Sequence, residues 1–245
     1  MDYENLINSR KILIRKAVAD VEKWCAPSLT RVGRKHPDTF WIELFDPANS
    51  SEITKDDAHL FLTSFQLTNR VIWNKKAVAA LMGKVRSHST FKPIEDIPTL
   101  ADQLRQCSRD TRQTSAASKI AAFSKPKAKV YIWDALASRS ARLRDWSRGP
   151  RGKKRASSSI YAHANGEHDY PAFYAACDRA LTDERISVEF TSAVEALERE
   201  FLRGGGLMAD RVKIPVEFIE RRLLDKLMFW EGWSLKNKEL PPNDA

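Results

Sequence analysis

One acid stands alone in the most basic part of this chain. Asp134 follows a short apolar run, Val130-Tyr131-Ile132-Trp133, and precedes a pattern that predicts a helix from Ala135 to about Trp146. A carboxylate at a helix start can cap the helix, typically for about 1 kcal/mol. It can also stabilise positive charge developing beside it, or position a water. Around it, between Lys119 and Arg155, stand Lys119, Lys125, Lys127, Lys129, Arg139, Arg142, Arg144, Arg148, Arg151, Lys153, Lys154 and Arg155. Only Asp134 and Asp145 oppose them, so the stretch carries a local +10 while the whole chain carries +9. A field concentrated this way attracts a polyanion, nucleic acid above all. A solvated basic loop with no partner is the plainer alternative.

The elements that must position this acid read as helices. Thr114 or Ser115 caps a short helix through Ile120-Ala121-Ala122-Phe123, and a Lys/Pro-containing crossing leads to the apolar run. Upstream, Tyr3 to about Trp24 has Leu6, Ile7, Ile14, Ala17, Val18, Val21 and Trp24 on one side. Phe40–Phe45 reads as a short strand or a helical turn. Thr54 with Asp56 and Asp57 opens a helix. Ala77–Val85 and Leu100–Leu104 read as further helices, separated by a turn-rich 87–98. Downstream, Asp169 caps a helix with Pro171 in its first turn, and Ser187 starts another whose stripe is Phe190, Val194, Leu197 and Phe201. The last helix begins near Pro215, with Val216, Ile219, Leu223, Leu227 and Trp230 expected inward and Glu217, Glu220, Arg221 and Asp225 outward.

The expected class is therefore mainly α, with few or no strands. The expected organisation is an N-terminal helical region over 1–108, a helical core over 109–235 with a basic loop at 148–168, and a loose polar tail at 236–245, packed as one compact unit. With 245 residues, 42% apolar and 30% charged, the chain has ample length for a core. The acidic opening does not resemble a signal peptide, and no apolar run nears about 18 residues, so a cytoplasmic chain with no membrane span is expected. Three scattered cysteines and five dispersed histidines show no metal-ligand spacing, and neither metal nor cofactor is expected.

The stretch Ser115–Arg144 resembles the core of the helix-hairpin-helix superfamily of DNA glycosylases, which includes 8-oxoguanine and adenine glycosylases. In that family an apolar crossing ends in V-D-x-x-V-x-R; here Ile132-Trp133-Asp134-Ala135-Leu136-Ala137-Ser138-Arg139 supplies the Asp and the Arg five residues later. More closely, SAASKIAAF with VYIWDALA and HDYPAFYAACDRAL resembles bacterial proteins with an 8-oxoguanine-glycosylase-like fold. The similarity spans roughly Thr111–Leu181, with a weaker echo in RRLLDKLMFW. Two departures stand out. The family's glycine hairpin, L-P-G-V-G, is replaced by the glycine-free run from Arg109 to Ser115. Lys119, near the position of the family's strand-cleaving lysine, lies about one helical turn too close to Asp134.

The resemblance implies a divergent glycosylase-like fold that removes a modified base from double-stranded DNA without a cofactor. Asp134 would stabilise the oxocarbenium-like sugar or position a water, and Tyr131 and Trp133 would line the base pocket. Lys119 is either a nucleophile for strand cleavage or a phosphate-contacting or solvated lysine. Ser115 and Ser118 would hold a phosphate at a helix start, in place of the missing hairpin. Lys125, Lys127, Arg139, Arg142, Arg148 and Lys153 would grip phosphates. A hypermodified cytosine of phage DNA, such as glucosylated hydroxymethylcytosine, is the leading target, and repair of oxidised or alkylated bases the alternative. The rival from another class is a non-catalytic nucleic-acid-binding protein of the same fold.

Overall fold

The computed structural model describes residues 3–25, 36–68, 71–108, 113–148, 161, 168–204 and 214–242. Among them the chain forms eleven helices and no strand. The only ladder-like pairing among these residues is an isolated antiparallel bridge between Trp73 and Ser108. In order, the helices are α1 (Tyr3–Asn8), α2 (Arg10–Cys25), α3 (Asp38–Leu44), α4 (Lys55–Ser64), α5 (Lys75–Ser87), α6 (Pro93–Gln106), α7 (Thr114–Ser124), α8 (Ala135–Arg148), α9 (Tyr170–Glu184), α10 (Val188–Gly204) and α11 (Val216–Asn237). No described helix is long and apolar enough to cross a membrane.

Local signals account for most of these boundaries. Thr54 and Asp57 form a reciprocal capping box at α4, each side chain accepting from the other's backbone N–H. Asn74 caps α5 through Ala77, and Asp169 caps α9 through Ala172. Several expectations shift. The long N-terminal helix breaks at Ser9, and Phe40–Phe45 resolves as helix α3. α6 starts seven residues before Leu100, because Pro93 occupies the first turn, where its missing N–H costs nothing. α7 is capped by neither Thr114 nor Ser115: Gln113 is its N-cap residue, makes no side-chain cap, and donates from its amide to Ser108 Oγ at 2.9 Å. In α11, Val216 is exposed while Arg221 is buried, the reverse of the expected facing.

The chain separates into two compact units built from interleaved stretches: 1–22, 133–199 and 219–245 in the first, and 23–132 with 200–218 in the second. The boundary expected at 108/109 falls inside the second unit, so domains follow packing and not chain order. The second unit is centred on aromatic rings. Trp41 meets Phe61 edge-on at 5.1 Å, Phe61 meets Phe123 at 6.2 Å, and Phe123 meets Phe218 at 5.8 Å. The first unit packs Leu13, Ala17 and Val21 of α2, Ala137 and Ala141 of α8, Phe173, Cys177 and Leu181 of α9, and Leu223 and Leu227 of α11, all buried.

Candidate active site at the start of α8

The backbone leading to Asp134 is pinned by burial. Val130, Tyr131, Ile132 and Trp133 are all buried although none belongs to a strand. Trp133 stacks on His168 with ring centroids 4.4 Å apart and meets Phe173 of α9 edge-on at 4.9 Å. At Asp134 the chain turns into α8. Asp134 Oδ1 accepts the Leu136 N–H at 2.7 Å, and its carbonyl accepts the Ser138 N–H at 2.8 Å. Leu136 is held from its far side by α11: a Cβ on Gly232 would lie 2.0 Å from the Leu136 carbonyl oxygen and 2.5 Å from its carbonyl carbon. Only glycine permits that approach, so α11 fixes the first turn of α8 and with it the aim of the carboxylate. The other carboxylate oxygen makes no hydrogen bond or ion pair among the described residues, and the side chain is half-buried. One oxygen is structural; the second is available to a partner.

α8 sorts its cations by face. Ala137, Ser138, Ser140, Ala141 and Arg144 are buried, while Arg139 and Arg142 are half-exposed. Arg144 belongs to a buried polar cluster. Its Nε donates to Glu231 Oε2 at 2.9 Å and one terminal nitrogen to Glu231 Oε1 at 2.5 Å; the other donates to Glu184 Oε1 at 2.9 Å. Ser140 Oγ bonds Glu231, and Arg10 of α2 pairs with Glu184. Burial alone would favour the neutral guanidine, but Glu231 and then Glu184 outweigh it and push the Arg144 pKa up. The two arginines and two glutamates cancel, so Arg144 adds nothing to the basic field counted along the sequence.

Outside this cluster, Asp145 accepts two bonds from Arg179 at 3.1 and 2.7 Å and one from the Tyr161 hydroxyl. The Arg142 guanidinium lies 5.2 Å from the Tyr161 ring centre, and Tyr161 N–H donates to Ser138 Oγ at 2.9 Å. Tyr161 is thereby tied to α8 at three places. Arg139 is half-exposed, with its Nε buried and unbonded.

The residues assigned from sequence divide between the units. Trp133, Asp134, Arg139 and Arg142 belong to the first; Ser115, Ser118, Lys119, Lys125, Lys127 and Tyr131 belong to the second. Arg148 is described only as the last backbone position of α8, and Lys153, like Arg109–Arg112, lies outside the described residues. Tyr131 and Trp133 are packed core side chains, 3% and 1% exposed, and present no open face to a base. Ser118 is fully buried, with its hydroxyl donating to the Ser115 carbonyl at 3.1 Å. Helix bonding in α7 starts at Ala117 N–H to Gln113 O, so the orphan donors at this helix start are Thr114, Ser115 and Ala116, not Ser118. Lys119 Nζ donates to Ser115 Oγ at 2.6 Å. Lys125 Nζ bonds the Arg86 carbonyl at 2.9 Å, serving the open C-terminal carbonyls of α5, and its partial burial lowers its pKa. Lys127 is exposed.

Glu184, Glu231, Arg10 and Gly232 organise this region although their types alone do not single them out. Spacing does carry a signal. Glu184 continues the Cys177, Leu181 stripe of α9, and Glu231 continues the Leu224, Leu227, Met228 stripe of α11. No protein-family model, curated protein or solved structure matches this chain.

Proposed function

We propose that this chain is a DNA glycosylase acting in the cytoplasm on double-stranded DNA that carries a modified base. Its leading target is a hypermodified cytosine of phage DNA. The observation that carries this reading is Asp134: one oxygen caps α8, the other is unbonded, and no cation neutralises it among the described residues. As the C1′–N bond breaks, the departing base takes the bonding electrons and a proton. Positive charge grows on the sugar, and a fixed carboxylate stabilises it until water adds at C1′ and loses its proton. Arg139 and Arg142, two half-exposed cations further along the same helix, would contact phosphates beside the extruded nucleotide. The burial of Tyr131 and Trp133 favours a second reading, a nucleic-acid-binding protein in which Asp134 is a cap alone.

Asp134→Asn separates the two, because an asparagine amide oxygen still caps the helix while the charge is lost. Wild type and variant are compared on duplexes carrying modified, oxidised or alkylated bases and on unmodified DNA, with abasic sites revealed by alkali. The glycosylase reading expects abasic sites from wild type, none from the variant, and equal DNA binding. Tight binding by both with no base released from any duplex leaves the binding reading.

A further inference from the structure

Arg142 and Asp145 stand three residues apart on α8, a spacing at which opposite charges ordinarily pair across one turn. In this helix they do not pair. Asp145 is held instead by Arg179 of α9, whose Nε and one terminal nitrogen reach its two carboxylate oxygens at 3.1 and 2.7 Å. The Tyr161 hydroxyl donates to the same carboxylate. A two-point guanidinium–carboxylate contact is the strong form of this pair, and it occupies the acid that Arg142 would otherwise meet. Two guanidiniums against one carboxylate leave one positive charge over, and it belongs to Arg142.

What Arg142 meets is a ring. Its guanidinium lies 5.2 Å from the Tyr161 ring centre, and it makes no hydrogen bond or ion pair among the described residues. Tyr161 is itself held at three points. Its hydroxyl bonds Asp145, its N–H donates to Ser138 Oγ at 2.9 Å, and its carbonyl accepts the Asp169 N–H at 3.1 Å. An aromatic face attracts a cation without supplying the oxygen acceptors of a carboxylate, so the guanidinium donors stay open. Arg142 is thereby ordered but not neutralised, and it is half-exposed. Ordering in advance removes part of the side-chain entropy that gripping an anion would cost.

An ordered guanidinium with unused planar donors suits an anion that offers two oxygens side by side, as a phosphodiester does. We propose that Arg142 contacts a backbone phosphate of bound DNA and that Tyr161 is its positioning residue, with Arg179 keeping Asp145 occupied. This rests on the nucleic-acid partner of the function proposed above, and not on base excision.

The test is binding of the full chain to an unmodified duplex of about 20 base pairs, followed by fluorescence anisotropy from about 50 to 200 mM salt. Arg142→Ala is expected to make the slope of log K against log salt shallower by about one. Tyr161→Leu keeps an apolar side chain in the half-buried place but removes the ring, and is expected to weaken binding about threefold. In the Arg142→Ala background the same change is expected to add nothing, because no guanidinium is left to position. Tyr161→Phe keeps the ring and is expected to recover most of what Tyr161→Leu loses. Circular dichroism confirms that each variant is folded. A merely structural Tyr161 would weaken binding by the same factor in both backgrounds, and that result overturns the proposal. So does an unchanged salt slope in Arg142→Ala, or a Tyr161→Phe that binds no better than Tyr161→Leu. A wild type that binds no duplex overturns it together with the nucleic-acid reading. The expected pattern without any base excision supports it and removes the glycosylase reading alone.

Discussion

Two glycines, both inside helices, are expected to respond oppositely to the same substitution. Gly83 of α5 has nothing within 4 Å of the position an added methyl would take, whereas a Cβ on Gly232 meets the Leu136 backbone at 2.0, 2.5 and 2.9 Å. In a helix interior, Gly→Ala gains about 0.5–1 kcal/mol from reduced backbone freedom where the space is open. Gly83→Ala should show that gain and raise the melting temperature by about 2 °C, at 2–4 °C per kcal/mol for a chain of this size. Gly232→Ala has the same intrinsic gain, but ordinary contact begins near 3.4 Å, so α8 and α11 must separate by more than 1 Å. Overpacking against rigid backbone costs about 3 kcal/mol or more, leaving a net loss of about 2 kcal/mol or more and a melting temperature at least about 5 °C lower. Thermal melts and urea titrations followed at 222 nm measure both variants in parallel. If Gly232→Ala stabilises the chain as Gly83→Ala does, the close approach of α11 to the start of α8 is wrong, and with it the account of how Asp134 is aimed.

Other perturbations test the remaining parts of the site. Glu231→Gln leaves Arg144 with one carboxylate in a buried setting and is expected to cost about 3 kcal/mol, read as a lower urea midpoint; an unchanged midpoint would refute a structural role for the cluster. The pKa of Tyr161 is raised, first by burial and then by its bond to Asp145. Its phenol should stay protonated when ordinary tyrosines ionise near pH 10, and absorbance titration at 295 nm should show a late component that Tyr161→Phe diminishes; Tyr174, also raised by burial, contributes to it in both proteins. Because the folded pKa lies above the unfolded one, this contribution to stability is full below about pH 10 and is lost as pH rises through the folded value. Lys127→Ala is expected to weaken duplex binding equally for all sequences and to lower the salt slope by about one; an unchanged slope would remove Lys127 from the interface.

The local grammar of the fold is written in the chain itself. The helical class, the start of α8 immediately after Asp134, the caps of Thr54 and Asp169, and the stripes of α9 and α10 follow from capping chemistry and the 3.6-residue period. These depend on residues a few positions apart, and such interactions are legible in one dimension. Local signals were weaker where they conflicted. Pro93 and Pro98 read as turn residues, although the first sits where a helix tolerates it and the second falls inside α6.

Packing, by contrast, settled which charges count and which aromatics are free. Counting along the chain treats Arg144 and Arg139 alike, yet one is cancelled by Glu184 and Glu231, 40 and 87 residues away, and the other is half-exposed. Tyr131 and Trp133 look available in sequence and are core in space. Lys125 counts as a full charge along the chain but commits its donor to the Arg86 carbonyl. Gly232 is an ordinary helix weakness until the Leu136 carbonyl is found against it. Long-range partners are set by which helix faces meet, and two residues far apart in the chain carry no mark of each other until packing brings them together.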